Sequence, residues 1–118
     1  MLISNISRTN TILYCRCWEP CVRFYRDVLR LSINYKTDWM VEFHLSGETY
    51  LSIANAAKTS IQSAEGNGIT LSWQVDDVDC IHNRLTELGI EASEIKHIWG
   101  NRAFYFFDPE GHRIELWS

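Results

Sequence analysis

The sequence predicts an α+β fold built from two strand–helix–strand–strand–strand modules. Two observations carry this reading. The same order of elements occurs twice in 118 residues, and Phe24, Val28, Leu31 and Ile33 share their spacing with Ile81, Leu85, Leu88 and Ile90. Amphipathic helices followed by strands are common, so the spacing gains weight only from the repeated order. Between the repeats, "NAAKTSIQSAEGNG" (55–68) is small and polar and reads as a linker. Module one is expected over 10–56 and module two over 69–118.

"TILYCRC" (11–17) is rich in strand formers. Pro20 then suits the first turn of a helix, where Val22, Tyr25, Val28 and Leu29 recur at helical spacing, widened by Phe24 and Leu31. "SINYKT", "WMVEFHL" and "TYLSIAN" read as three strands, the last two joined by a Ser46-Gly47-Glu48 turn. In the second module "ITLSWQV" is a strand. "DDVDCIHNRLTELG" is a helix with acidic residues in its first turn and Gly89 past its end. "IEASEIKHI", "NRAFYFF" and "HRIELWS" read as three strands, with an Asp108-Pro109-Glu110-Gly111 turn before the last.

Composition narrows the function classes. A formal charge of −4 argues against nucleic acid and anionic membranes as partners. No apolar run is long enough to cross a bilayer, and "MLISNISRTN" lacks the basic and long apolar regions of a secretory signal. A cytoplasmic location is therefore expected, with the four cysteines as thiols. Cys15 and Cys17 are expected on one strand face toward the helix, with Cys21 at the helix start and Cys80 in the core. No fourth donor is evident for a structural zinc. Trp73 is expected in the core between Leu71 and Val75, and Trp18, Trp39 and Trp99 at strand ends or loops.

"RFYRDVLRLSI" (23–33), "VDDVDCIHNRLTELGIE" (75–91) and "FFDPEGHRIEL" (106–116) together resemble the vicinal oxygen chelate superfamily. That superfamily includes glyoxalase I, extradiol dioxygenases and the bleomycin and fosfomycin resistance proteins. The resemblance runs over nearly the whole chain. One departure is Arg30, where the family usually closes the first helix with glycine. The resemblance implies two βαβββ modules forming a curled mixed sheet around a cup, with helices on the outer face. It also implies a homodimer, in which the cup is built within one chain or across two.

In metal-dependent members, four side chains from the first and last strands of each module reach the cup floor. Carried over one at a time, these positions fall on Asn10 (Thr11 with a one-residue gap), Ser52, Thr70 and Glu115. Only Glu115 matches a family donor. Serine and threonine are poor ligands for a transition metal, and asparagine offers only a neutral carbonyl oxygen. The expectation is no metal and no cofactor. His44, His82, His97 and His112 show no metal-ligand spacing and are expected to be exposed or hydrogen-bonded, with His44 the one strand three could turn to the cup.

Strand alternation gives the expected ligand-binding lining. It comprises Asn10, Ile12, Tyr14 and Arg16 from the first strand and Tyr50, Ser52 and Ala54 from the fourth. Thr70, Ser72 and Gln74 come from the fifth, Tyr105 and Phe107 from the seventh, and Arg113, Glu115 and Trp117 from the last. Aromatic faces, neutral hydrogen-bonding groups and few charges suit a small-molecule pocket. The aromatic residues could stack on a flat or cationic ligand with Glu115 as counter-charge. Glu115 is the only acid expected on this face. In the bland reading, Arg16 or Arg113 pairs with Glu115 and closes a polar core without a ligand.

No residue is expected to be catalytic, because Ser52, Ser72 and Thr70 lack a base partner. "GNG" (66–68) precedes no helix and is not a phosphate loop. "RFYR" is helix packing. The favoured function is metal-free binding of a cationic or aromatic small molecule, similar in design to the bleomycin resistance proteins. One alternative is a glyoxalase- or dioxygenase-type enzyme with a rearranged metal site involving Glu115 and His44. The other is a dimeric regulatory or interaction domain without ligand.

Overall fold

The structure, a computed structural model, describes residues 2–118. The chain divides into two compact units at residues 64 and 65, and each unit is a βαβββ module with a four-stranded mixed sheet. Among the described residues no helix is long and apolar enough to cross a membrane.

In the first unit, β1 (Thr9–Cys15) leads through α1 (Trp18–Arg23) to β2 (Ser32–Lys36), β3 (Met40–Ser46) and β4 (Thr49–Asn55). The sheet order is β1-β4-β3-β2, with β1 and β4 parallel and the other pairs antiparallel. Alternation sends Leu13, Cys15, Val41, Phe43, Leu51 and Ile53 to one face, where all are buried. On that face Tyr25 lies 6.1 Å from Phe43 between ring centroids, and Trp18 Nε1 donates to the Ile53 carbonyl at 2.8 Å. Each buried large apolar side chain contributes about 1.5–3 kcal/mol.

The first helix departs from its expected course. It begins at Trp18, two residues before Pro20, whose missing N–H falls in the first turn, where no helical acceptor is available. It then widens into a π-helical turn at Phe24–Val28. The extra residue per turn rotates the stripe, so Cys21, Val22, Phe24 and Tyr25 are buried, while Val28 and Leu29 are only half-buried. The chain leaves the turn through Arg30 at φ 58°, the left-handed conformation that glycine adopts without strain. β1 ends at Cys15, so Cys15 and Cys17 do not share a strand face: Cys17 is the residue preceding α1, half-buried, with its Sγ 3.9 Å from Cys21 Sγ. None of the four cysteines is joined in a disulfide.

In the second unit, β5 (Thr70–Gln74), α2 (Val78–Glu87), β6 (Lys96–Ile98), β7 (Asn101–Phe107) and β8 (Arg113–Trp117) repeat the plan in the order β5-β8-β7-β6. Asp77 caps α2 by accepting from Cys80 N–H at 3.2 Å, and the helix closes with Ile90 N–H on the Leu85 carbonyl. Leu71, Phe104, Phe106, Ile114 and Leu116 form the buried sheet face with Val78 and Leu85 of the helix. Cys80 is exposed and not in the core, because the Asp77 cap sets it two residues after Val78, off the buried stripe. Trp73 is half-buried. The stretch 90–95 is not a continuous strand: only the Ala92–Phe106 bridge precedes β6, and Ser93 Oγ accepts the Tyr105 N–H at 2.9 Å.

A tight turn positions β8. Asp108 Oδ1 accepts the N–H groups of Glu110, Gly111 and His112 at 2.9–3.0 Å, and its Oδ2 lies 2.8 Å from His112 Nδ1. Gly66 packs directly on this turn: a Cβ there would lie 2.1 Å from the Gly111 carbonyl carbon, and its φ is 83°.

Gly66→Ala is expected to destabilise by at least about 2 kcal/mol, a fall in Tm of roughly 5–10 °C by thermal denaturation. Arg30→Gly is expected to raise stability by about 0.5–1 kcal/mol, read as a higher urea midpoint at constant m.

Candidate functional site

Each sheet has a second face, away from its helix, and the polar chemistry collects there. In the second unit, Ile114 and Leu116 point into the core, so Glu115 between them points to the helix-free face. Parallel pairing of β5 with β8 sets Ser72 beside Glu115, and Ser72 Oγ donates to Glu115 Oε1 at 2.9 Å. Within this unit no cation pairs with Glu115. Arg113, two residues earlier, lies instead with Cζ 4.3 Å from the centroid of the Tyr105 ring. The bland reading of an Arg113–Glu115 pair is therefore not what this unit forms.

Glu115, Ser72 and Trp117 share a hollow of about 290 Å³ with the β6–β7 hairpin, including Ile98 and Trp99. That hairpin turns on Trp99 and Gly100, with φ 53° and 79°, the positive pair that a tight two-residue turn requires. Asparagine or glycine would take the first position without strain. A tryptophan there is costly and is 96% exposed, so the turn presents an indole to solvent.

In the first unit the helix-free face carries a buried carboxylate that the sequence reading missed. Glu42 alternates with Val41 and Phe43, so it faces away from the helix and stands opposite Ser52 in the β3–β4 register. It is 6% exposed. Arg8 Nη2 donates to Oε1 at 2.5 Å, Asn34 Nδ2 to Oε1 at 2.8 Å and Asn10 Nδ2 to Oε2 at 3.2 Å. Asn10 Oδ1 in turn accepts from Ser52 Oγ at 2.9 Å. Arg8 also stacks, with Cζ 3.8 Å from the Tyr50 ring centroid. The Arg8 hydrogen bond, then that of Asn34, holds the Glu42 carboxyl below the usual carboxylate range, against burial that pushes it up. The signal was the V-E-F alternation in "WMVEFHL", which marks an inward carboxylate as clearly as I-E-L does.

The expected lining thus separates into groups. Ser72, Glu115 and Trp117 meet in one hollow. Tyr105 and Arg113 stack on each other beside it, with Tyr105 opposite Glu115 in the β7–β8 register. Thr70 and Gln74 share the strand face of Ser72 and are exposed. Asn10, Tyr50 and Ser52 belong to the Glu42 cluster, while Ile12 and Tyr14 lie along the same face of β1. Arg16 lies beyond the end of β1. All four histidines are hydrogen-bonded: His44 to the Gly47 carbonyl, His82 to the Ser93 carbonyl, His97 to Arg102 and His112 to Asp108.

The donor positions do not fit a tightly held transition metal. Asn10 spends its carbonyl oxygen on the Ser52 hydroxyl and its amide N–H on Glu42, an orientation fixed because a carboxylate only accepts. Ser52 and Thr70 offer neutral hydroxyls, which leaves Glu115 as the one charged donor of the four.

The chain matches the glyoxalase-like domain family over residues 9–118 and belongs to it. Its fold is similar to that of a glyoxalase/bleomycin resistance protein/dioxygenase from Nocardioides, with TM-score 0.79, 22% identity and coverage of 98% and 84% of the two chains. It is 29% identical over 115 residues to the uncharacterized protein YraH of Bacillus subtilis (strain 168), spanning 86% of this chain and 89% of that protein. Among solved structures it is similar to lactoylglutathione lyase from Agrobacterium tumefaciens, with TM-score 0.77, 24% identity and coverage of 98% and 93% of the two chains. It is also similar to TnmS3, an antibiotic binding protein from Streptomyces sp. CB03234, with TM-score 0.79, 22% identity and coverage of 98% and 96%. At these identities the structural likeness concerns the fold.

Because its folded pKa is lowered, Glu42 contributes stability that is complete above the ordinary carboxylate value of 4.5 and is lost as pH falls through the folded value. Urea midpoints are expected to drop below about pH 4 in the wild type. Glu42→Gln should flatten that acid limb and cost about 1–3 kcal/mol at pH 7.

Proposed function

We propose that this protein binds a small cationic aromatic compound without transforming it, and that the Glu115 hollow is the seat of that binding. The observation that carries the reading is a carboxylate with one hydroxyl donor and no paired cation in its unit, placed in a concavity with Trp117 and the strained, exposed Trp99. A planar cation would bury its rings against the indoles and set its charge against Glu115. Each cation–π contact adds about 0.5–2 kcal/mol. The poor donor set at Asn10, Ser52 and Thr70 supports binding by shape, stacking and charge, with no Lewis acid required. The likeness to an antibiotic binding protein of the same fold agrees with this reading. Sequestration in the cytoplasm by a homodimer is the form we infer for it.

The test is a calorimetric titration with N-methylacridinium, a planar cation, against neutral acridine at pH 8. The cation should bind more tightly than its neutral analogue. Glu115→Gln should remove most of that preference, and Trp117→Ala should weaken the cation by roughly 2- to 30-fold. Equal binding of both compounds, unchanged by Glu115→Gln, would sink the proposal. So would about one divalent ion per chain in protein purified without chelator and lost in Glu115→Ala, which would favour a metal-dependent enzyme.

A further inference from the structure

We propose that the first unit contains a second, built site for a guanidinium group, and that Arg8 is its resident and displaceable occupant. The receiving groups belong to the sheet: Asn34 from β2, Glu42 from β3, and Tyr50 and Ser52 from β4. They are held independently of Arg8. Asn34 and Asn10 keep their amide N–H groups on the Glu42 carboxylate, and Ser52 fixes Asn10. His44, with its ring centroid 5.3 Å from that of Tyr50, backs the aromatic wall.

The occupant has a different standing. Arg8 precedes β1 in an exposed segment without regular structure, and its side chain is 41% exposed. Its guanidinium meets two features at once: an edge N–H reaches Glu42 Oε1 at 2.5 Å while the flat face covers the Tyr50 ring at 3.8 Å. Only a planar delocalised cation satisfies an edge acceptor and a stacking face together; an ammonium ion is a point charge without a face. A carboxylate as buried as Glu42 also demands a cation, since its own burial is costly unless compensated. The site is therefore chemically specific, and it is filled by a side chain tethered to a peripheral segment.

The tether sets the competition. Arg8 acts at an effective concentration of the order of millimolar, so a free alkylguanidine competes only at similar concentrations or when the segment lifts away. The ligand class is a small molecule bearing a guanidinium group. This site shares no residue with the Glu115 hollow, so either proposal can fail alone.

The test titrates methylguanidinium into Arg8→Ala at constant ionic strength, following heat and thermal midpoint. Saturable binding in the low millimolar range is expected, with a rise in midpoint. Methylammonium should bind at least ten-fold more weakly, the wild type should bind methylguanidinium at least about two-fold more weakly than Arg8→Ala, as a tethered competitor at a concentration near the Kd requires, and the Arg8→Ala/Glu42→Gln double variant should not bind it. The proposal is overturned if methylguanidinium acts no differently from sodium, if the double variant binds it equally, or if the wild type binds it as tightly as Arg8→Ala. Should Arg8→Ala fail to fold, Arg8→Gln keeps an N–H for Glu42 without the charge and carries the same titration. Failure of both to fold would make Arg8 an obligatory structural cation and overturn the claim of displacement.

Discussion

The parallel pairing of the first and last strands of each module governs what the rest of the structure can do. A parallel partner cannot be reached by a tight turn, so each module sends its chain through a helix and two further strands before closing the pair. This closure joins side chains distant in sequence. Ser72 meets Glu115, and Asn10 meets Ser52, across separations of 43 and 42 residues. The helix covers one face of each sheet with apolar packing, and the chemistry is left to the other face.

The two modules then use the same face differently. In the second, the carboxylate stands on the closing strand β8, with one hydroxyl donor and no paired cation. In the first, the closing strand β4 carries Ser52 and the carboxylate is one strand further on, at Glu42 of β3, in register with it. There it is buried and receives three donors, one of them a guanidinium. A buried carboxylate so supplied is a fixed part of its sheet, while Glu115 keeps the capacity to accept a further partner. Duplication of the fold thus did not duplicate the chemistry.

Local strain marks the same division of labour. Trp99 accepts a left-handed backbone that an unbranched turn residue would take at less cost, and it gains nothing from burial. Arg30 accepts the same conformation at the end of the π-helical turn, where the family usually has glycine. The first presents an aromatic surface beside Glu115. The second merely closes a helix.

The sequence by itself determined the module plan, the element order and the direction of Glu115. Period-2 alternation and helical spacing are local properties of the chain, and the I-E-L step leaves Glu115 only one face to occupy. It also contained Glu42, through the V-E-F step. Whether that carboxylate is open or saturated depends on Arg8, Asn10 and Asn34, which arrive from other strands and from a segment without periodicity. Tyr25 of the π-helical turn packs against Phe43 from a distant strand, and the exposure of Cys80 follows from where Asp77 caps α2. Periodicity fixes which way a side chain points. Only tertiary structure decides which donors, rings and charges it meets there, because those contacts span separations at which sequence spacing carries no information.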